Sequence, residues 1–351
     1  MSAIPAKPMS YVRLGKSGLK VSKIILGCMT YGSPDGNIPW SLGEDDAIAH
    51  IKFAYDSGIN TFDTANIYSN GLSEVILGKA IKKLALPRDE IVIMTKVCFA
   101  VGHEDTTKME EMTEANGYVN QSGLSRKHIF EAVKHSLDRL QLEYVDVLQC
   151  HRFDPETPIE ETMQALHDVV RAGYARYIGM SSCYAWQFQL MQNYAIANNL
   201  TPFISMQNCY SMLYREEERE MMPTLSHFGV GSIPWSPLAR GLLTRPWAPK
   251  PAGEGSKREQ LDDWMTLFSS GEADKAVVNR LEEVAKRLNA SMAQTALAWL
   301  ASKPAVTAPI VGSSSIANLR DLIGALNIVL SAEDVKYLDE PYKPKPIMGH
   351  A

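Results

Sequence analysis

Apolar positions along the chain fall into a repeating pair: a short β-rich run, then a longer stretch in which hydrophobic residues recur at helical spacing. Eight such pairs follow one another, with strands expected at residues 23–27, 60–63, 91–96, 145–151, 177–182, 203–208, 229–235 and 305–312. The clearest helix is expected over 127–140, where Ile129, Val133, Leu137 and Leu140 line one face and the polar face meets solvent. Another announces its start chemically. Thr157-Pro158-Ile159-Glu160 reads as a capping box with proline at the first helical position, ahead of Met163, Leu166 and Val170.

Strand and helix in alternation imply parallel pairing through right-handed crossovers, and eight units are the number that closes a (β/α)8 TIM barrel. A doubly wound sheet is the other architecture the pattern allows. No run of linker composition divides the 351 residues, so one domain spanning 1–351 is expected. Ahead of the first barrel strand, residues 11–21 hold two short runs joined by Gly15-Lys16-Ser17-Gly18, a hairpin suited to plugging one end. Long insertions follow the third strand, over 98–123, and the seventh, over 241–271; within the latter, 246–256 is rich in Pro and Gly and reads as a mobile surface loop. Chemistry in such a barrel sits where strands end and βα loops begin.

Composition narrows the class. Lys and Arg total 35 against 40 Asp and Glu, a net charge of −5, which argues against a dedicated nucleic-acid binder. No apolar run approaches the roughly 18 residues of a membrane span. The opening MSAIPAKPMS lacks a signal-peptide stretch and the closing Gly349-His350-Ala351 is no targeting tag, so a cytoplasmic location is expected. The five cysteines, Cys28, Cys98, Cys150, Cys183 and Cys209, form no CxxC pair and read as reduced thiols. All five fall at strand ends, where a metal or redox site would lie, but with no ligand spacing they read as small packing residues and no metal is expected. The charged run 215–220 reads as a solvated helix face, and the sixteen methionines as core filler.

Four titratable side chains stand at the tips of three neighbouring strands: Asp63 ends the second, Tyr68 follows five residues on, Lys96 ends the third and His151 the fourth. Together they make a proton-donor set. A phenol holds its proton at neutral pH, and an ammonium beside it favours the phenolate, the tuning needed by an acid that protonates a nascent alkoxide. Asp63 would hold the Lys96 ammonium, and His151 would hydrogen-bond a substrate oxygen opposite Tyr68. Taken singly each has a plainer reading: an Asp63–Lys96 salt bridge, a packed Tyr68, a rim His151 satisfying a carbonyl.

The stretches RLGKSGLKVSKIILG, DTANIYSNGLSEVILGKAI, LSRKHIFEAVKHSLDRLQLEYVDVLQCHRFD, IPWSPLARG and IVGSSSIANLRDLIGAL, in that order, resemble signatures of the aldo-keto reductase family across nearly the whole chain. The resemblance implies Tyr68 as proton donor tuned by Asp63 and Lys96, with His151 orienting a carbonyl. It also implies a bound nicotinamide cofactor without a Rossmann fold. Ser181, Ser182 and Gln207 resemble the family's carboxamide ligands, Trp235 the ring that stacks on the nicotinamide, and Gly27, Met29 and Thr30 lie along it. Ser236, Leu238, Arg240 and Gly241 resemble the loop over the pyrophosphate. After the eighth strand, Gly312-Ser313-Ser314-Ser315 leads into a helix, an anion site or simply a helix cap. By resemblance it takes the adenosine 2′-phosphate of NADPH, with Ser313, Asn318 and Asp321 on the contacting positions. Asn318 stands where the family more often has Arg or Gln, Leu322 and Ser182 where it has Asn, and Trp235 where it has Tyr. The helix therefore offers no matched cation for that phosphate, which leaves NADH open beside NADPH.

Two functions compete at this point. One is an oxidoreductase that moves hydride between NADPH and a small-molecule aldehyde or ketone; the other is a nucleotide-binding regulatory subunit with little turnover, as potassium-channel β subunits resembling this family are. Those subunits typically carry Asn where His151 stands. In look the chain is nearest to fungal and microbial aryl-alcohol dehydrogenase-type or polyketide-pathway reductases. Tyr31, Phe99 and Tyr184, near the expected mouth, would suit a flat apolar or aromatic aldehyde, but such residues are more often scaffold packing than specificity contacts.

Overall fold

The computed structural model describes residues 9–104, 106–247, 262, 268 and 271–350. Eight parallel strands run in the order β10-β3-β4-β5-β6-β7-β8-β9: β3 Ile25–Gly27, β4 Thr61–Asp63, β5 Val92–Val97, β6 Val145–Cys150, β7 Ala175–Ser181, β8 Phe203–Gln207, β9 Gly231–Ser232 and β10 Ile310–Val311. The ring closes through main-chain bonds, Thr307 N to Ser232 O at 2.8 Å and Ile310 N to Pro234 O at 2.9 Å. This is the (β/α)8 barrel expected from the alternation, not a doubly wound sheet. The last two strands are shorter than their apolar runs. Pro234 and Pro309 bring no N–H to the ladder and interrupt regular pairing there.

A period of two along each strand separates two cores. Ile25, Val92, Met94, Val147, Ile233 and Ile310 face the barrel interior, while Leu26, Ile93 and Leu148 join the larger cluster under the helices. The interior is sealed at its base by the antiparallel hairpin β1 Tyr11–Arg13 and β2 Lys20–Ser22, whose Leu14 and Val21 enter the inner cluster. Its turn needs glycine. Gly15 has φ +59°, and a Cβ there would lie 2.5 Å from Gly229 O and 2.6 Å from Gly231 N, both backbone. Gly15→Ala is therefore expected to destabilise by about 1–3 kcal/mol, read as a lower Tm; an unchanged Tm would show that the plug adapts.

Helices α1 Glu44–Asp56, α2 Leu72–Lys83, α3 Arg126–Leu140, α4 Ile159–Arg171, α5 Ala185–Ala197 and α6 Met221–Phe228 follow successive strands, with α7 Glu272–Arg287, α8 Met292–Ala301, α9 Ile316–Ile323 and α10 Ala332–Asp339 completing the outer layer. Ser125 Oγ caps α3 by accepting from His128 N, and Ile129, Val133, Leu137 and Leu140 are buried as the spacing predicts. The capping box expected at Thr157 does not form. Pro158 is the N-cap, and the Thr157 hydroxyl donates to Asp154 Oδ2 at 2.6 Å, a charged acceptor that outcompetes a helix amide.

The charged run 215–220 is also not a solvated helix face. Glu216 and Glu217 are buried in a single 3-10 turn, Glu216–Glu218, because other chain segments satisfy them. Glu216 accepts from Tyr342 Oη, Lys345 N and Arg219, and Glu217 from Asn208 Nδ2 and His350 Nε2. These bonds draw the C-terminal tail over the face where the strands end. The insertion 98–123 carries two 3-10 turns, Met109–Glu111 and Glu114–Asn116, with Asp105 outside the described residues. Most of the loop expected over 246–256 lies outside them too. Among the described residues no helix is long and apolar enough to cross a membrane.

Three imidazoles give the fold an acid-sensitive side. Burial is the largest influence on His50, His128 and His151 and holds all three below the ordinary histidine range. The unfolded chain takes up protons there near pH 6.5 while the folded chain resists, so the unfolded state binds more protons and stability falls as pH drops. Tm is expected to decline between pH 7.5 and pH 5.5; a level or rising Tm would contradict it.

Candidate active site

The four chemistry-bearing side chains meet at the top of the barrel. Lys96, on β5, extends its ammonium to Asp63 Oδ2 at 2.6 Å, to Thr64 O at 2.8 Å and to Tyr68 Oη at 3.1 Å. Asp63 and Lys96 are each 1% exposed, so this is an interior ion pair whose members must satisfy one another. Burial alone pulls the Lys96 ammonium down, but the charges of Asp63 and Tyr68 and the hydrogen bonds it donates to both outweigh it and hold Lys96 above the usual lysine range. Its proton stays in place.

Tyr68 opens a short 3-10 turn, Tyr68–Gly71, in which Ser69, Asn70 and Gly71 all take positive φ, at 48°, 49° and 90°. Such backbone persists where its surroundings enforce it. Asn70 Nδ2 donates to Glu104 O and Thr107 O, and its Oδ1 accepts from Gly102 N, so the insertion 98–123 clamps the turn that presents Tyr68. Behind it, a Cβ on Gly32 would fall 2.2 Å from Ser69 Oγ.

His151 follows β6, its N bonded to Val97 O at 2.8 Å. The ring meets Tyr68 edge-on at 5.8 Å between centroids and Phe99 at 5.1 Å. Burial, then the charges of Lys96 and Arg152, push the imidazole well below its usual range, so it is neutral at pH 7. Nδ1 is buried without a partner among the described residues. A bare lone pair costs less there than an orphaned N–H, which puts the proton on Nε2.

Asp63 is braced by two amides. Gln149 Nε2 and Gln207 Nε2 each donate to Asp63 Oδ1 at 2.9 Å, and Gln207 Nε2 also donates to Gln149 Oε1 at 2.9 Å. Gln149 carried no sequence signal beyond its place two residues before His151. Its alternation with that rim position, on the same face as Lys96 across the β5–β6 register, is the clue that would have found it.

The remaining predicted positions line the same end of the barrel. Gly27, Met29 and Thr30 leave β3, and Thr30 Oγ1 donates to Ser313 O at 3.5 Å. Ser181 Oγ donates to Gln207 O at 2.8 Å, and the Trp235 indole N–H donates to Ser182 Oγ at 2.9 Å, which sets the ring's orientation. Beyond Trp235 the chain takes left-handed backbone at Ser236, Ala239, Arg240 and Gly241, next to Leu238, and Arg240 pairs with Asp262. Ser313 lies past Gly312 and Ser315 caps α9, accepting from Asn318 N at 3.1 Å. The Asn318 side chain is exposed; the Asp321 carboxylate accepts from Ser291 Oγ and Gln294 Nε2.

Tyr31 is fully buried and shares a 2.7 Å hydrogen bond with His50, so it packs the scaffold instead of meeting a substrate. Phe99 does line the cavity beside His151, and Tyr184 stacks edge-on with His350 of the tail. The tail is a second feature the sequence did not signal: a Cβ on Gly349 would lie 3.1 Å from the Trp235 ring. All five cysteines are buried and unbridged, and burial pushes the Cys98 thiol up to about 12, the behaviour of packing residues.

A family model described as the aldo/keto reductase family matches residues 23–343. The chain is 48% identical over 345 residues to versiconal hemiacetal acetate reductase of Aspergillus parasiticus, covering 97% of this chain and 98% of that one. It is also 48% identical over 351 residues to a Schizosaccharomyces pombe protein named as an aryl-alcohol dehydrogenase, with 97% and 98% covered. An aldo-keto reductase of Alternaria alternata shares 43% over 360 residues, 100% of this chain and 96% of that one. With the barrel, its plugged base and this ordered set of strand-tip groups beneath matches of that length, the chain belongs to the aldo/keto reductase family, a family of carbonyl-reducing oxidoreductases that use nicotinamide dinucleotides.

Proposed function

We propose that the enzyme reduces an aldehyde or ketone to the alcohol with NADPH, and that Tyr68 is the proton donor. The observation that carries this reading is the Tyr68 hydroxyl held 3.1 Å from a buried ammonium and edge-on to a neutral imidazole. When bound, the nicotinamide supplies hydride. The chain's own groups do the rest. His151 donates from Nε2 to the carbonyl oxygen and orients it towards Tyr68. As charge develops on that oxygen Tyr68 releases its proton to it, and Lys96 balances the charge left on the phenol oxygen. Asp63, with Gln149 and Gln207 behind it, keeps Lys96 in place.

The residues present fit such a cofactor. Trp235 offers a ring already oriented by Ser182, and Gln207 Oε1 accepts from no described group, which leaves it for a carboxamide N–H. The left-handed run at Ala239, Arg240 and Gly241 is the backbone form that gathers amides around an anion. Ser313 and the α9 amino terminus suit the adenosine phosphate. Asn318 brings no charge to it, so NADPH over NADH is the finer part of the proposal. Buried, unpaired thiols accord with a reducing cytoplasm. The Schizosaccharomyces pombe relative's name, an aryl-alcohol dehydrogenase, points to aromatic substrates.

The test is to follow NADPH and NADH oxidation by purified protein across aromatic and aliphatic carbonyls. Turnover of at least one aromatic aldehyde, faster with NADPH, is expected. Quenching of protein fluorescence by NADPH with no carbonyl consumed would instead favour a nucleotide-binding subunit.

A further inference from the structure

A cavity of about 520 Å³ opens beside the catalytic cluster, with Phe99, Arg152, Phe153 and Asp154 among its walls and the tail residues Gly349 and His350 at its edge. Phe99 also packs edge-on against His151, so this space adjoins the cluster through a shared wall. Arg152 is the unusual member. Its Nη1 donates to His151 O at 2.6 Å, and its other guanidinium nitrogens have no hydrogen-bond partner among the described residues. Arg88, Arg139 and Arg215, which are also sunk into the protein, each reach a carboxylate within 2.7–2.9 Å. Arg152 reaches none within 4.0 Å among the described residues.

Asp154 shares the wall, but its carboxylate is already committed. Oδ2 accepts from Leu124 N and Thr157 Oγ1, both at 2.6 Å, and Oδ1 from Glu156 N at 3.0 Å. The His350 Nε2 is likewise engaged by Glu217. A largely buried guanidinium without a counter-charge is costly, and a planar fork of donors is matched by a carboxylate.

We infer that Arg152 is a substrate-anchoring residue and that the preferred substrates are aromatic aldehydes or ketones carrying a carboxylate on the ring. The Arg152 guanidinium pairs with that carboxylate, the ring fills the apolar space between Phe99 and Phe153, and the carbonyl is delivered to His151 and Tyr68. This rests on the carbonyl-reductase reading above and deepens it.

The experiment compares kcat/KM for the formylbenzoate isomers with that for their methyl esters, in the parent, Arg152→Gln and Arg152→Lys. In the parent at least one acid is expected to exceed its ester about tenfold or more, chiefly through KM. The ratio should fall towards one in Arg152→Gln and recover in part in Arg152→Lys. Because Arg152 also bonds His151 O, the acid-to-ester ratio, not the absolute rate, is the readout. Benzoate, which has no carbonyl to reduce, is titrated calorimetrically into the NADP+-loaded parent and Arg152→Gln; binding only to the parent supports the anchor. Turnover of acids and esters with equal kcat/KM, or an acid preference that survives in Arg152→Gln, overturns the inference while leaving the reductase reading intact. Absence of any turnover would strike the reductase reading, and the benzoate titration would still decide the anchor.

Discussion

Tyr68→Phe is expected to lower turnover of an aromatic aldehyde by about 10²- to 10⁴-fold, the span that a positioned general acid commands. The substitution removes one oxygen and keeps the ring, so the edge contact with His151 and the clamped turn at Ser69, Asn70 and Gly71 are retained. No other group in the cluster is ready to replace it. His151 is held neutral by burial and by the neighbouring cations, and the Lys96 ammonium is held protonated by Asp63, so neither gives up a proton at neutral pH. Cofactor binding, read by fluorescence quenching, should change little. Comparable turnover in the variant and the parent would take Tyr68 out of its assigned role.

Lys96→Met should act on two quantities at once. The substitution keeps the stem volume but strips the ammonium from Asp63 Oδ2, Thr64 O and Tyr68 Oη in a site almost closed to water. Breaking one side of a buried pair costs roughly 3–5 kcal/mol, because the other charge stays behind unpaired. Gln149 and Gln207 still donate to Asp63 Oδ1 and soften that loss. Turnover is expected to fall by a factor similar to that of Tyr68→Phe, since charge on the phenol oxygen loses its counter-ion, and Tm is expected to fall as well. The double variant Asp63→Asn/Lys96→Met should regain much of the lost Tm and none of the lost activity. Recovery of activity in the double variant would mean that the pair serves only the fold.

The amino-acid order by itself determined the barrel and the rim at which its titratable strand-tip side chains gather. Strand runs separated by helical spacing leave few ways to pair, and a side chain at the last position of a parallel strand must emerge at one rim; Asp63, Lys96 and His151 were legible for that reason, and Tyr68 because it follows a strand tip closely. What the tertiary structure alone decided concerns groups whose partners lie far along the chain. Glu216 and Glu217 look like surface charges until Tyr342, Lys345 and His350 arrive from more than a hundred residues away and satisfy them. Gln149 is an unremarked strand residue until Asp63 and Gln207 are brought to its amide. Arg152 is one basic residue among 35 until folding sets it in a cavity wall with no carboxylate among the described residues within 4.0 Å. Local pattern fixes which way a side chain points, because strand and helix periods are short-range. Whether a charge is paired, and by what, depends on contacts that only chain closure creates.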